Sequence, residues 1–237
     1  MIWNPVLLAV VTGLVALMPA PGPYGNATAR PNCNSDPAKG VDWTGCFKAR
    51  RVMTGAALTG ATMERVDLSG SDLSGAQLNG VNLTSANLYR ARFHNASLDG
   101  ADMTKVEGLR ADFKDATLMR ANLSKGELQR AVFSGADLRG ADLEKAELGR
   151  ALFVKAKMSD TNFTDTYLAR ADFSGTDLGK ANFTGAYLLR TNFSGADLSG
   201  TRGLTAAQIE FSCGNDETTL PNGLSPSPNW PCAAGDD

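Results

Sequence analysis

Every fifth residue from about 43 to 198 is, with few exceptions, Leu, Phe or Met, and a small residue, most often Ala, stands two places before it. The run Ala181-Asn182-Phe183-Thr184-Gly185, Ala186-Tyr187-Leu188-Leu189-Arg190 shows the pattern. A period of five matches neither the helix period of 3.6 nor the strand period of 2, so the chain is neither a helical bundle nor an ordinary sheet. In extended backbone, residues two apart share a face. The small residue and the central residue therefore both point inward, and the residue between them points out. The next inward pair comes an odd step later, so the backbone must turn a corner in every unit. Gly, Ser, Asp and Asn are common after the central residue, as corners require.

A second period counts the corners. Arg90, Arg110, Arg130, Arg150, Arg170 and Arg190 recur every twenty residues, as do Phe93, Phe113, Phe133, Phe153, Phe173 and Phe193. Four pentapeptides therefore complete a turn, and the chain is expected to be an all-β square coil. The array runs in one phase over residues 41–200, enough for about eight coils stacked at the inter-strand spacing of ~4.8 Å. Its first units are degraded, with Lys48 and Met53 in central places and Cys46 and Arg51 two places before them. Residues 30–55 read as an N-terminal cap and degraded first coil, with Trp43 in the cap core, and residues 56–200 as the regular repeat. Gly108 stands where a central Leu is due, which predicts a local gap or a bulge that swings Leu109 inward.

The A-(D/N)-L-x-x pattern resembles the pentapeptide-repeat family, and the resemblance implies a right-handed quadrilateral β-helix. The end of the chain is similar to exported bacterial members of that family. Gly203-Leu204-Thr205-Ala206-Ala207-Gln208 is followed by Cys213-Gly214-Asn215-Asp216, Leu220-Pro221-Asn222-Gly223-Leu224 and Trp230. Thr205 and Gln208 have capping-box spacing, which predicts a short helix over 205–211. Residues 201–237 then form a C-terminal cap over the open end of the coil, an edge that otherwise invites stacking of another copy.

Residues 5–20 are almost wholly apolar, and Ala27-Thr28-Ala29 fits a small-x-small cleavage site, so residues 1–29 read as a signal peptide with Arg30 as the mature start. No Lys or Arg precedes the apolar run, which keeps an uncleaved N-terminal membrane anchor open as the alternative. Asn26-Ala27-Thr28 matches a glycosylation sequon but lies inside this segment. Cys33 and Cys46 flank the start of the repeat, and Cys213 and Cys232 follow its end. Two local disulfides, Cys33–Cys46 and Cys213–Cys232, are the simplest pairing, and such bonds persist in a periplasm or outside the cell.

The arginine column, Arg90 to Arg190, is the leading functional candidate, joined by Tyr167 and Tyr187 on its upper stretch. It has two readings. One pairs the guanidinium groups with Glu107, Glu127, Glu147, Asp112 and Asp172 as ordinary surface. The other makes the column a ruler for anionic groups, which Arg binds bidentately. The outward column Asn82, Asp102, Asn122, Asp142, Asn162 and Asn182 is flat, whereas calcium asks for converging oxygens. Those side chains are expected to bond backbone at neighbouring corners. His94 follows Phe93 and should sit outside.

No catalytic constellation is present: there is no G-x-S-x-G, no H-E-x-x-H and no phosphate loop. No metal and no cofactor is expected. The expected function is a non-catalytic exported scaffold or binding module, presenting flat faces to a protein or a polyanionic envelope component. Within residues 41–200 there are 20 Lys and Arg against 19 Asp and Glu, a net +1, so general nucleic-acid binding is not favoured. The family resemblance supplies a second reading, a DNA-mimicking inhibitor of a topoisomerase (gyrase) of the quinolone-resistance type. That role asks for a cytoplasmic, acidic rod.

Overall fold

The computed structural model describes residues 31–228 and 230–232. The expected signal peptide (1–29), its cleavage site and the Asn26 sequon lie outside the described residues. Residues 31–237 belong to one compact unit, which joins both caps to the repeat.

The fold is a square β-helix. Parallel bridges run from Asp42–Thr62 to Asn182–Arg202 at a constant step of twenty, one residue wide at each face. From Thr62 to Asp197 each bridge residue is the outward one between two buried residues, as the period of five requires. Every coil thus has four faces, named here by their buried central columns. The first carries Met63, Leu83 and, higher up, Phe163 and Phe183. The second carries Leu68, Leu88 and Leu128 to Leu188. The third carries the Phe93–Phe193 column, and the fourth Leu98 to Leu198.

The corners are β-turns. The amide after a corner bonds back to the preceding central carbonyl, as Cys46 does to Trp43 at 2.9 Å and Ala61 to Leu58 at 3.0 Å; at Arg51 the Ser71 hydroxyl is inserted, accepting from the amide and donating to Lys48 O. The residue before that amide has positive φ, for example Gly45 at 65° and Arg130 at 58°. That combination defines a type II turn.

Side chains one coil apart lie directly over one another. Phe113 and Phe133 stack with ring centroids 5.0 Å apart, and Phe133 and Phe153 at 5.1 Å. In the upper coils the Phe163 and Phe183 rings meet this column edge-on, Phe163 against Phe173 at 5.6 Å and 83°. Two interlocked aromatic stacks therefore fill the lumen there, in the offset and edge-to-face geometries that rings prefer. Where Thr replaces the inward Ala at 161, 166, 176 and 191, its hydroxyl donates to a carbonyl of the coil below, as Thr161 does to Leu138 O at 2.9 Å and Thr166 to Leu143 O at 2.8 Å, while Thr201 donates to Leu198 O of its own corner. No buried hydroxyl at these positions is left without an acceptor, the usual condition for polar groups inside.

Gly108 produces no bulge. It keeps the ladder, its amide bonding Glu127 O at 2.8 Å, and Leu109 stays outside, 39% exposed. A Cβ on Gly108 would lie 2.6 Å from Leu128 Cδ2, so Leu128 leans from the next coil into the vacated space. The expected gap and the inward swing of Leu109 are both replaced by this one substitution in space.

Each end carries a cap tied by a disulfide. At the N-terminal end Cys33–Cys46 is formed, Trp43 is fully buried, and its indole N–H donates to Ser35 Oγ at 2.9 Å. At the C-terminal end α1 (Ala206–Glu210) carries the expected capping box between Thr205 and Gln208. The Gln208 amide then donates to Phe183 O and Ala186 O at 3.0 and 2.9 Å. Thr218 Oγ1 takes Phe193 O at 2.9 Å. Cys213–Cys232 ties down the last segment, and the bridge step grows to Asn192–Cys213 and Asp197–Thr219 as the cap is inserted.

Leu128 fills two levels of its column and Leu148 only one. Leu128→Ala should therefore cost more than Leu148→Ala within the ~2–5 kcal/mol range for buried Leu truncation, measured by denaturant unfolding. Equal losses would mean that the Gly108 space is empty.

Candidate functional site

The outward positions show which faces serve the fold alone. An outward Asp or Asn places its side-chain oxygen on the amide two residues ahead and so braces the corner. The column Asn82, Asp102, Asn122, Asp142, Asn162 and Asn182 does this throughout, at 3.0–3.1 Å. Its oxygens are spent on backbone, as expected. The same contact perturbs carboxyls. The Ser74 hydroxyl, assisted by its amide and by Arg92, holds the Asp72 carboxyl below the usual range. The Thr219 and Ser199 side chains do the same for Asp197.

The second face abandons this bracing partway up. Asp67 and Asn87 still bond their corners at 2.9 and 3.0 Å. From there on the outward places are Glu107, Glu127, Glu147, Tyr167 and Tyr187. Glu147 accepts from Gln129 of the coil below at 2.6 Å. Tyr167 and Tyr187 stack 5.2 Å apart with planes 15° off parallel, so ring edges and hydroxyls meet solvent. Gly149 lies under Tyr167, where a Cβ would come within 3.1 Å of Cε1. Glycine is needed here for close approach of the ring.

Exposed apolar residues gather on this face as well. Tyr89, Leu109, Tyr167, Tyr187 and Leu189 all belong to it, with Phe211 of the cap stacked above Leu189 through the Arg190 N–Phe211 O bond. The remaining large exposed hydrophobics among the described residues are Phe47 and Val52 at the N-terminal rim, and Leu152 alone on the third face. Shallow hollows of about 350 Å³ beside Tyr89 and Leu109, and about 210 Å³ between Tyr187, Leu189 and Phe211, interrupt the face. Neither is deep enough to enclose a substrate.

The two corners that bound the second face are its charged rims. Arg90, Arg110, Arg130, Arg150, Arg170 and Arg190 line one, and Lys105, Lys125 and Lys145 the other. All of these have φ between 54° and 60°. The corners on the far side mostly use glycine at the same place, as at Gly55, Gly75, Gly135, Gly175, Gly60, Gly80, Gly100 and Gly140. A side chain costs roughly 1–2 kcal/mol in left-handed conformation, where glycine has no penalty.

The expected pairing of the arginine column with acids is not what the structure contains. Among the described residues Arg110, Arg130, Arg150 and Arg170 make no ion pair, and Arg90 lies over the Tyr89 ring at 5.0 Å. Asp112 instead contacts His94 Nε2 at 2.5 Å, and Asp172 bonds Ser174 and Asn192. Asp112, Asp172 and Glu147 are thus engaged by neighbours other than arginine, and the guanidinium groups of Arg110, Arg130, Arg150 and Arg170 make no ion pair among the described residues. His94 is outside, as expected, but it bridges two coils rather than standing alone.

Family models match most of the repeat: a pentapeptide repeat region over residues 126–202, and pentapeptide repeats (8 copies) over residues 52–84 and 86–124. Among solved structures the chain is similar to QnrB1, a plasmid-mediated fluoroquinolone resistance protein, at 22% identity over 76% of this chain and 90% of that one, with a TM-score of 0.41. It is also similar to HetL of the cyanobacterium Nostoc sp. strain PCC 7120, a pentapeptide repeat protein involved in heterocyst differentiation regulation. That match has 27% identity over 78% and 91%, with a TM-score of 0.29. A pentapeptide repeat protein of the Arabidopsis thaliana thylakoid lumen matches at 28% identity over 54% and 68%, with a TM-score of 0.20. No curated protein matches the chain.

Two outcomes follow from the corners. Arg130→Gly should hold or raise stability, by ~0.5 kcal/mol once the extra freedom of unfolded glycine is counted, whereas β-branched Arg130→Val should lower it; thermal melts decide. The depressed Asp72 and Asp197 carboxyls stabilise the fold above the ordinary Asp value of about 3.9, and that contribution disappears as pH falls through their lower folded-state values. Unfolding titrations from neutral pH to about pH 2 should show this acid loss shrinking in Asp72→Asn/Asp197→Asn.

Proposed function

The chain belongs to the pentapeptide-repeat family, and from that premise we propose that it is a non-catalytic binding module whose second face engages an acidic protein or other polyanionic partner. The observation that carries this is a coincidence on one face. Corner-bracing Asp and Asn are absent there through five successive coils, Glu107 to Tyr187, against scattered gaps such as Arg92, Val132, Leu152 and Lys157 on the third and fourth faces; exposed aromatic and aliphatic side chains collect there, and cations occupy its rims at left-handed positions where glycine has no penalty. An apolar centre edged by charge is the usual anatomy of a protein interface. Arg110, Arg130, Arg150 and Arg170, which make no ion pair among the described residues and are spaced one coil apart, suit carboxylates, phosphates or sulfates on the partner. The shallow hollows favour a broad contact over a small molecule.

The finer architecture belongs to the same proposal. We read the coil as right-handed with about eight turns, and the constant twenty-residue step from Asp42 to Arg202 supports the count. We read the compartment as periplasmic or extracellular. The apolar segment 5–20 supports this, as do two formed disulfides with no free cysteine among the described residues. The DNA-mimic reading has less support, because Glu107, Glu127 and Glu147 are bounded on both sides by Lys and Arg columns.

Capture from envelope extracts tests the face. The intact chain, an Arg130→Gln/Arg150→Gln/Arg170→Gln variant and a fourth-face control, Lys157→Gln, are compared at low and high salt. The second-face variant alone should lose the captured partner, and salt should release it from the intact chain. A partner held equally by all three, or none held by any, overturns the reading.

A further inference from the structure

We propose that the N-terminal rim of the solenoid is a docking end for an anionic lipid surface. The two most exposed large hydrophobics among the described residues are Phe47, at 74%, and Val52, at 79%. They flank one corner of the first coil, Phe47-Lys48-Ala49-Arg50-Arg51-Val52. One coil higher the same outward places hold Asp67 and Asp72, both bonded to their corners. The apolar pair is therefore a property of the rim and not of the two faces.

Cations share this rim, Arg50 and Arg51 at the same corner and Lys39 at the opposite one. Lys39, Arg50 and Arg51 are exposed, and none makes an ion pair among the described residues. Lys48 is held in the cap, 3.8 Å over the Trp43 ring and bonded to Ser35 O. Asp36 and Asp42 are the acids of this end, so positive charge predominates. A hollow of about 550 Å³ lined by Pro37, Trp43, Phe47 and Val52 adjoins the pair.

Chemistry sets the depth. In later coils the outward amides donate to the coil before, as Asp67 does to Cys46 O at 2.9 Å and Asp72 to Arg51 O at 2.8 Å. Phe47 and Val52 have no preceding coil, and their amides make no such bond among the described residues. Unpaired backbone is not tolerated in hydrocarbon. At headgroup level phosphates and water can accept from it, while two apolar side chains reach the acyl boundary. The cations add electrostatic attraction to an acidic leaflet. A second copy of the chain is a poorer occupant, because two rims of the same positive sign would repel.

Connectivity favours the same surface. The ten residues 21–30 separate the apolar stretch 5–20 from Pro31 and can span at most ~35 Å. A bilayer that takes up that stretch is held near this end. Where the stretch is removed, the rim alone offers weak, salt-sensitive attachment.

Hydrogen exchange of the full chain on vesicles tests this. Phosphatidylcholine vesicles are compared with vesicles containing about 30% phosphatidylglycerol, since only the latter carry the surface charge that the cations would read. Both hold an apolar leader equally, and protection localised to the first coil separates the rim from the cationic corners of the second face. Peptides covering residues 44–55 should exchange more slowly on the anionic vesicles only, with α1 unchanged as internal reference. Arg50→Gln/Arg51→Gln should abolish that difference and weaken salt-sensitive binding by about fivefold per arginine. Phe47→Ser/Val52→Ser should also weaken it and leave the melting temperature unchanged. Equal slowing on both vesicles, or none, overturns the proposal. Slowing without vesicles that grows with protein concentration would assign the rim to a second copy and overturn it as well.

Discussion

The parallel hydrogen-bonded step of twenty residues is the constraint on which the molecule rests. Each face contributes a single bridging residue per coil, so no face could stand as a sheet by itself. Order comes from repetition along the axis, where each coil satisfies the amides and carbonyls of the next. The same step brings like side chains into register and turns a spaced set of phenylalanines into a continuous stack. Stability in such an array is a sum of neighbouring interfaces, which makes the two ends the exposed terms. Each end carries a disulfide; at the C-terminal end Gln208 and Thr218 also donate to the final carbonyls, while at the N-terminal rim the Phe47 and Val52 amides have no preceding coil.

What was legible in the sequence is what repeats. The period of five gave inward and outward positions, the period of twenty gave four faces, and the cysteine positions and the Thr205–Gln208 spacing gave the caps. Less legible was anything decided by reach between coils. Gly108 suggested a gap or a bulge, yet Leu128 has enough freedom to lean across one level and fill the space. Arg110, Arg150 and Arg170 stand near acids in sequence, but Asp112 contacts His94, Glu147 contacts Gln129, and Asp172 contacts Ser174 and Asn192 instead. The conformation of the arginines themselves was also hidden. A corner hydrogen bond demands positive φ at that place, and neither Arg nor Lys advertises it as glycine does. The Phe47–Val52 rim escaped notice because both residues sit in phase, and only the missing preceding coil makes them conspicuous.

A repeat offers an internal control that a globular fold lacks. Four faces share one backbone, so departures at a single face have a baseline in the other three. On the first face the outward Asp and Asn brace corners from Asn82 to Asn182; on the second the same positions change to Glu and then Tyr. The far corners relax with glycine, while the corners beside the second face carry Arg and Lys in left-handed geometry. Stability would favour the opposite choice at each of these sites. The third and fourth faces leave the bracing in places, as at Arg92, Val132, Leu152 and Lys157, but only the second does so through five successive coils between corners of Arg and Lys, and such a surface is better explained by contact with something outside the molecule than by the needs of its own fold. This is why the face is assigned a partner although no pocket or catalytic group marks it.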